Sequence, residues 1–388
     1  MATEPAAVSR ASASWYATDP AILRDATARS RITDAVRARG RSTAATTAAA
    51  LEAVVEEDAD AAFTYDAAGT ATLHAEGRTY GAGRFTTPTL AELRAPLLAS
   101  KAPRVPRARL SILHGRDVLT DIGALQGSAP DGVLFQVASQ FNCLEAPGPR
   151  VVPVRQYVND YTQGPRASVS ALAGTLLRHH AAPASAGARF TQTDARCLDL
   201  LADVLVPAVA EVRSGYLSTA TVHDLPAAAA ALTARFELIR VGVHDDVEVL
   251  FGHDWDGAVS RPGARIAQVF TSTLALGGYG RDDGSRALVL ARRQLLRAAY
   301  VGTLLAAAVL GKHTVVLTLI GGGVFGNPRA AIWEAIHHAL DEVDPLLAAP
   351  LHVVVNTREE LDAADAAQAR ARGGFVARFD EGQVTVEG

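Results

Sequence analysis

The sequence predicts an α/β protein built on a buried sheet, and three observations carry that reading. Val133–Ala138, Val315–Ile320 and Leu351–Val355 are short aliphatic runs, the pattern of strands covered on both faces. Helical patterns alternate with them: Ser285 to Leu310, then Ala331, Ile332, Ala335, Ile336 and Leu340 at helical spacing. Between the second strand and the second of these helices lies Gly321-Gly322-Gly323-Val324-Phe325-Gly326, with Asn327-Pro328 opening the helix.

A strand, a glycine loop and a helix in succession place bare backbone N–H groups beside a helix N-terminus, and both favour an anion. Glycine is needed where φ is positive or where a phosphate comes against the backbone. The plain alternative is a tight strand-to-helix turn. A P-loop is excluded, because Gly326-Asn327-Pro328 stands where Gly-Lys-Ser/Thr is required. Gly321, Gly323 and Gly326 fit G-x-G-x-x-G, but the next strand ends in Asn356 rather than an acid. The 62 residues after Gly326 are also too few for the second half of a dinucleotide fold.

The chain has 388 residues and is 49% hydrophobic, enough for two domains or one elaborated domain with a large core. A net charge of −4 gives no basic bias toward nucleic acid. The abundance of Ala and of Arg over Lys fits a high-GC bacterial genome. Cys143 and Cys197 give no disulfide framework, and Cys143 reads as a packing residue. The first twenty residues lack a basic-then-apolar signal, and the longest apolar run, 298–311, is shorter than a membrane span. The expectation is a cytoplasmic protein without a membrane partner.

Residues 1–19 are expected to be disordered and 20–104 to form an α+β extension: helices to about Asp60, hairpins from Phe63 to Phe85, a helix from Leu90 to Leu98. The core is expected over 105–388. There Arg107–His114 reads as a strand, Val169–Arg178 as a helix, His180–Ala188 as a surface loop and Ala195–Val212 as a helix. Phe236–Val241 and Arg265–Leu274 read as strands, Leu361–Arg372 as a helix and Phe375–Val386 as an edge strand.

Five acids and two histidines lie between His244 and Asp256. Their spacing fits neither H-E-x-x-H nor an EF-hand, so no metal is expected. Strand alternation would put Asp246 and Glu248 on one face. They form either a solvated edge or an acidic wall that faces a cationic substrate and supplies a base for water attack at an anomeric carbon. Asn159-Asp160 precede the polar turn Tyr161-Thr162-Gln163-Gly164. Asp160 or Thr162 there either caps the following helix or belongs to a site.

The glycine loop resembles the diphosphate-binding loop of macrodomains. Gly321, Gly323, Val324, Phe325, Gly326 and Pro328 match its G-x-G-[VI]-[FY]-G-x-P pattern in place. Val133 to Leu144 is similar to the strand and Asn-containing turn before the family's first binding loop, with Gln140 and Phe141 where small residues are commoner. Asn159 to Gly164 occupies the place of that first loop but lacks its triple glycine.

The resemblance implies a three-layer α/β/α fold with a mixed central sheet. It implies a site for ADP-ribose, with Gly322, Gly323 and Gly326 giving backbone N–H groups to the diphosphate and Phe325 near the distal ribose. Gln140, Asn142, Asn159, Thr162, Gly164, Gly321, Val324 and Asn356 complete the expected ligand site. The QVASQFNCLE and NDYTQGP stretches are similar to the branch related to poly(ADP-ribose) glycohydrolases and effector-like arginine ADP-ribosylhydrolases. That branch implies removal of ADP-ribose from a modified protein, most of all from arginine, without a cofactor. Asp160, Asp246 and Asp254 are the expected catalytic acids. A non-catalytic ADP-ribose reader is the alternative.

Overall fold

The computed structural model describes residues 14–40, 43–103, 108–184, 188–259, 261, 263–380 and 382–388. In chain order the N-terminal elements are α1 (Pro20–Arg24), α2 (Ala26–Arg37), α3 (Ala44–Glu57), α4 (Ala59–Ala62), β1 (Phe63–Tyr65), β2 (Ala71–Ala75), β3 (Arg78–Thr86) and α5 (Leu90–Ala99). Then come β4 (Ala108–Gly115), α6 (Ile122–Ser128), β5 (Val133–Ala138), α7 (Gln163–Val169), α8 (Leu172–His180), β6 (Ala182–Pro183) and β7 (Arg189–Phe190). The C-terminal half holds α9 (Leu225–Ala234), β8 (Gly242–Glu248), β9 (Arg265–Thr271), α10 (Arg286–Val309), β10 (Thr314–Leu317), α11 (Arg329–Val343), β11 (Leu351–Thr357), α12 (Ala363–Ala371), β12 (Val376–Asp380) and β13 (Gln383–Glu387).

Eleven strands form one mixed sheet in the order β1-β2-β3-β8-β9-β5-β10-β11-β4-β12-β13. The run from β9 to β12 is parallel, and antiparallel strands flank it on both sides. The hairpin strands β1–β3 join this sheet through β3 and β8, so the segment before residue 104 continues the central sheet.

Helices cover both faces. Gln136 of β5 stands in register with Val269, and Gln268 one place away therefore faces the other side. Gln136 Nε2 donates to Ala299 O and Thr303 Oγ1 of α10, whereas Gln268 Nε2 donates to Ala167 O of α7. Each buried amide nitrogen thus donates to the helix on its own side, as a buried donor requires.

Several segments differ from the sequence reading. Residues 1–13, part of the stretch expected to be disordered, lie outside the described residues. Trp15, Tyr16 and Ala17 are buried. Tyr16 donates to Leu119 O and Trp15 Nε1 to Ser128 Oγ. Their aromatic area repays ordering.

Residues 195–212 form turns and not a helix. Asp199 Oδ1 takes the N–H of Leu201, and Pro207 interrupts the run. The strand expected at 236–241 begins only at Gly242, after a 3₁₀ turn at Phe236–Leu238. The loop expected at 180–188 starts on buried residues, His180 to Ala182, and Ala182–Pro183 pairs with Arg189–Phe190. Residues 185–187 of that loop, and Arg107 of the strand expected there, lie outside the described residues.

Candidate active site

Open parallel sheets bind ligands beyond the carboxyl ends of their strands. Here β5, β10 and β11 end beside one another, and a cleft of about 550 Å³ opens there. Gln140, Glu145, Asp160, Thr162, Gly164, Gly321, Gly322, Gly323, Val324, Phe325 and Asn356 line it. Among the described residues no helix is long and apolar enough to cross a membrane, and no group of three or more His, Cys, Asp or Glu is placed to hold a metal ion.

The glycine loop is held from below. Asn327 Nδ2 donates to Thr273 Oγ1, Leu274 O and Gly321 O, and Asn327 N donates to Gly321 O at 2.9 Å. Tyr300 Oη donates to Thr318 O at 2.8 Å and accepts from Ile320 N at 3.0 Å. Gly321 has φ +69°, and a Cβ there would meet Asn327 Nδ2 and Thr273 Oγ1 at 2.5 Å. Only glycine fits. The N–H of Gly322 goes to Leu319 O and that of Gly326 to Gly323 O. Neither is free for a ligand, and Gly326 does not line the cleft. This corrects the expectation that both donate to a diphosphate. The N–H groups of Gly323, Val324 and Phe325 have no protein acceptor among the described residues. They are the amides of the loop left open at the cleft.

Opposite the loop stands Glu145, which the sequence reading quoted within a turn but did not select. The turn from Ser139 to Ala146 follows β5, and Cys143 and Glu145 both have positive φ, 63° and 59°. Gln140 clamps it: Oε1 accepts from Ala146 N at 2.9 Å, and Nε2 donates to Ala146 O at 3.1 Å and to Glu145 Oε2 at 3.3 Å. Asn142 is fully buried inside the same turn, giving Nδ2 to Ser214 O and taking the N–H of Leu144. It builds the turn and does not line the cleft.

Behind the turn, the fully buried Arg178 donates Nε to Cys143 O at 3.0 Å and Nη2 to Ser168 Oγ at 2.8 Å. Burial brings Arg178 down to about 9 and pushes the Cys143 thiol up to about 12. That thiol is inert at neutral pH. Burial also raises the Glu145 carboxyl well above the usual range, and the negative charge of Asp160 adds to the shift. Burial thus biases Glu145 toward its protonated form, while the neighbouring Asp160 is half-buried and accepts from Thr162 N through Oδ1 at 2.8 Å.

Thr162 occupies the N-cap position of α7 without a side-chain cap bond. Asn159 lies in an adjoining cavity that shares Pro147, Asp160 and Tyr161 with the cleft. Asn356 reaches the cleft from the end of β11, with Nδ2 fixed on Thr120 O at 3.0 Å.

Asp246 and Asp254 do not line the cleft. Asp246 sits at a bulge of β8 with φ 60°, 2.7 Å from Arg265. Asp254 accepts from Arg166 at 3.2 Å. The other acids of that stretch are likewise engaged: Asp245 by Lys312, Glu248 by Gly81 N–H and Asp256 by Arg39. The bulge breaks the expected alternation on β8, an interior strand, and the acids of this stretch are paired with cations or backbone outside the cleft.

A scan against protein-family models found no match, and neither did a search of curated proteins. Among solved structures, the chain is similar to poly(ADP-ribose) glycohydrolase from Thermomonospora curvata at 17% identity, over 84% of this chain and 99% of that one, with a TM-score of 0.44. It is similar to poly(ADP-ribose) glycohydrolase from Deinococcus radiodurans in complex with ADP-ribose at 13% identity, over 74% and 93%, with a TM-score of 0.38. A Trypanosoma brucei macrodomain in complex with ADP is similar at 12% identity, over 72% and 86%, with a TM-score of 0.31.

Proposed function

We propose that this protein binds ADP-ribose in the cleft and hydrolyses the glycosidic bond at its distal ribose. The observation that carries the reading is one cleft holding a carboxyl that burial biases toward its protonated form, a second carboxyl beside it and a row of unpartnered amides. The amides of Gly323, Val324 and Phe325 take the diphosphate. Glu145 gives its proton to the leaving atom as the bond to the anomeric carbon breaks, and the bonding pair leaves with that atom. Asp160 takes a proton from the attacking water, whose oxygen forms the new bond. A carboxyl whose proton affinity burial raises suits the role of the acid.

Arginine is the linkage to test first: Asp246 and Asp254 are engaged by Arg265 and Arg166, and Asp160 is the acid in the cleft that a cationic acceptor would meet. Calorimetry with ADP-ribose and release of ADP-ribose from arginine-, glutamate- and serine-linked proteins test the reading. Glu145→Gln is expected to bind ADP-ribose and to turn over at least about 100-fold more slowly. Binding without release from any substrate would make the protein a reader. No binding at all would remove the cleft from ADP-ribose chemistry.

A further inference from the structure

The parallel strands run in the order β5, β10, β11, β4, and the chemistry of the cleft changes in the same order. Glu145 follows β5, the unpartnered amides follow β10, and Arg358 and Arg116 follow β11 and β4. Neighbouring strands lie about 4.8 Å apart. A ligand with its anomeric carbon at Glu145 and its diphosphate on Gly323–Phe325 therefore extends its nucleoside end roughly 10 Å further, to the two arginines.

Both guanidinium groups are short of counter-charge. Asp121 is the acid within reach of Arg358, but it is ion-paired to Arg166 and accepts from Gln163 Nε2 and from the N–H groups of Gly123 and Ala124. Arg358 Nη2 reaches it only at 3.9 Å. Arg358 Nε is buried without a hydrogen-bond partner. Burial and the nearby cations Arg166 and Arg116 disfavour its charged form, against the pull of Asp121. Arg116 is exposed at the rim and makes no ion pair among the described residues. The acid on this wall is Glu359, exposed at the lip. Two cations against one exposed acid leave this end of the cleft positive, and a bound anion relieves both the burial and the repulsion.

We propose that Arg116 and Arg358 form a phosphate subsite, so that the cleft prefers an ADP-ribose carrying a further phosphate on its adenosine ribose. This rests on the ADP-ribose reading above. The guanidinium fork matches phosphate geometry, and the sheet order places it at the ribose and base rather than at the diphosphate.

Calorimetry on the full chain with ADP-ribose and with its 2′- and 3′-phosphorylated forms tests the subsite. One phosphorylated form is expected to bind at least about tenfold more tightly than ADP-ribose, the size of a charge-assisted contact. Arg116→Met and Arg358→Met should each remove most of that ratio, and Arg116→Lys should restore part of it. Arg116 is exposed, so its variants keep the test open if Arg358→Met does not fold. Equal affinity for all three ligands overturns the subsite and leaves the ADP-ribose reading standing. Binding of none overturns both.

Discussion

Gly164 and Glu145 are fitted to each other across the cleft. A Cβ added to Gly164 would stand well inside van der Waals contact with Glu145 Oε1. The relationship is steric, since Gly164 lies within α7 and needs no unusual φ. Gly164→Ala should therefore fold but push the Glu145 carboxyl aside. A shift of about 1 Å at a reacting group costs on the order of 100-fold in rate. We expect Gly164→Ala to lower kcat by that order, with ADP-ribose affinity changed less than tenfold. A variant with full kcat would show that Glu145 is not the acid.

The pH profile follows from the same pair. Glu145 acts protonated, so activity falls as pH rises through its raised pKa. Asp160 is one of the two causes of that raised value. Asp160→Asn removes a negative charge, makes ionisation of Glu145 easier, and should move the alkaline limb of the profile to lower pH. The residual rate, expected to be at least about 100-fold below wild type if Asp160 is the base, is sufficient to measure the shift. An alkaline limb that stays in place would separate it from Glu145.

Two glycines of the loop should respond differently. Gly323 has open space where a Cβ would be, whereas Gly321 is packed on Asn327 and Thr273 at positive φ. Gly323→Glu places a charge against the unpartnered amides and should abolish ADP-ribose binding with the melting temperature nearly unchanged. Gly321→Ala should lower thermal stability as well. Normal binding by Gly323→Glu would show that the diphosphate does not use this loop.

How much of this was legible in the sequence depends on the range of the interactions. The glycine loop is local, so strand, loop and helix were readable from spacing, as were β5 and β11. Glu145 and Gly164 are nineteen positions apart, and no periodicity links them. Glu145 becomes distinctive only through burial and its distance to Asp160, which are tertiary properties. The reverse holds for Asp246 and Asp254. Their density drew attention in the sequence, while the arginines that engage them come from positions 265 and 166. Asp246→Ala is accordingly expected to keep activity within about threefold, since an exposed pair contributes about 1 kcal/mol or less. A 100-fold loss on release assays would restore it to the mechanism.

Glu52 connects stability to the site. It is fully buried in α3 and accepts from Val154 N at 2.6 Å, Arg155 N at 2.8 Å, Arg155 Nη1 at 3.0 Å and His180 Nε2 at 3.2 Å. It thereby anchors the 3₁₀ segment Val154–Asn159 that leads directly into Asp160. Burial alone would raise its carboxyl, but the hydrogen bonds from His180, Arg155 and Val154 outweigh it and hold the pKa below the ordinary value. A carboxylate depressed in the folded state stabilises it above the unfolded pKa, and that contribution is lost as pH falls through the folded value. Glu52→Gln should therefore cost about 3 kcal/mol at neutral pH, and the gap to wild type should shrink as the pH drops through the carboxylate range. Urea denaturation of both proteins at about pH 7 and about pH 4 measures this. A difference that does not change with pH would mean that Glu52 acts there by shape and not by charge.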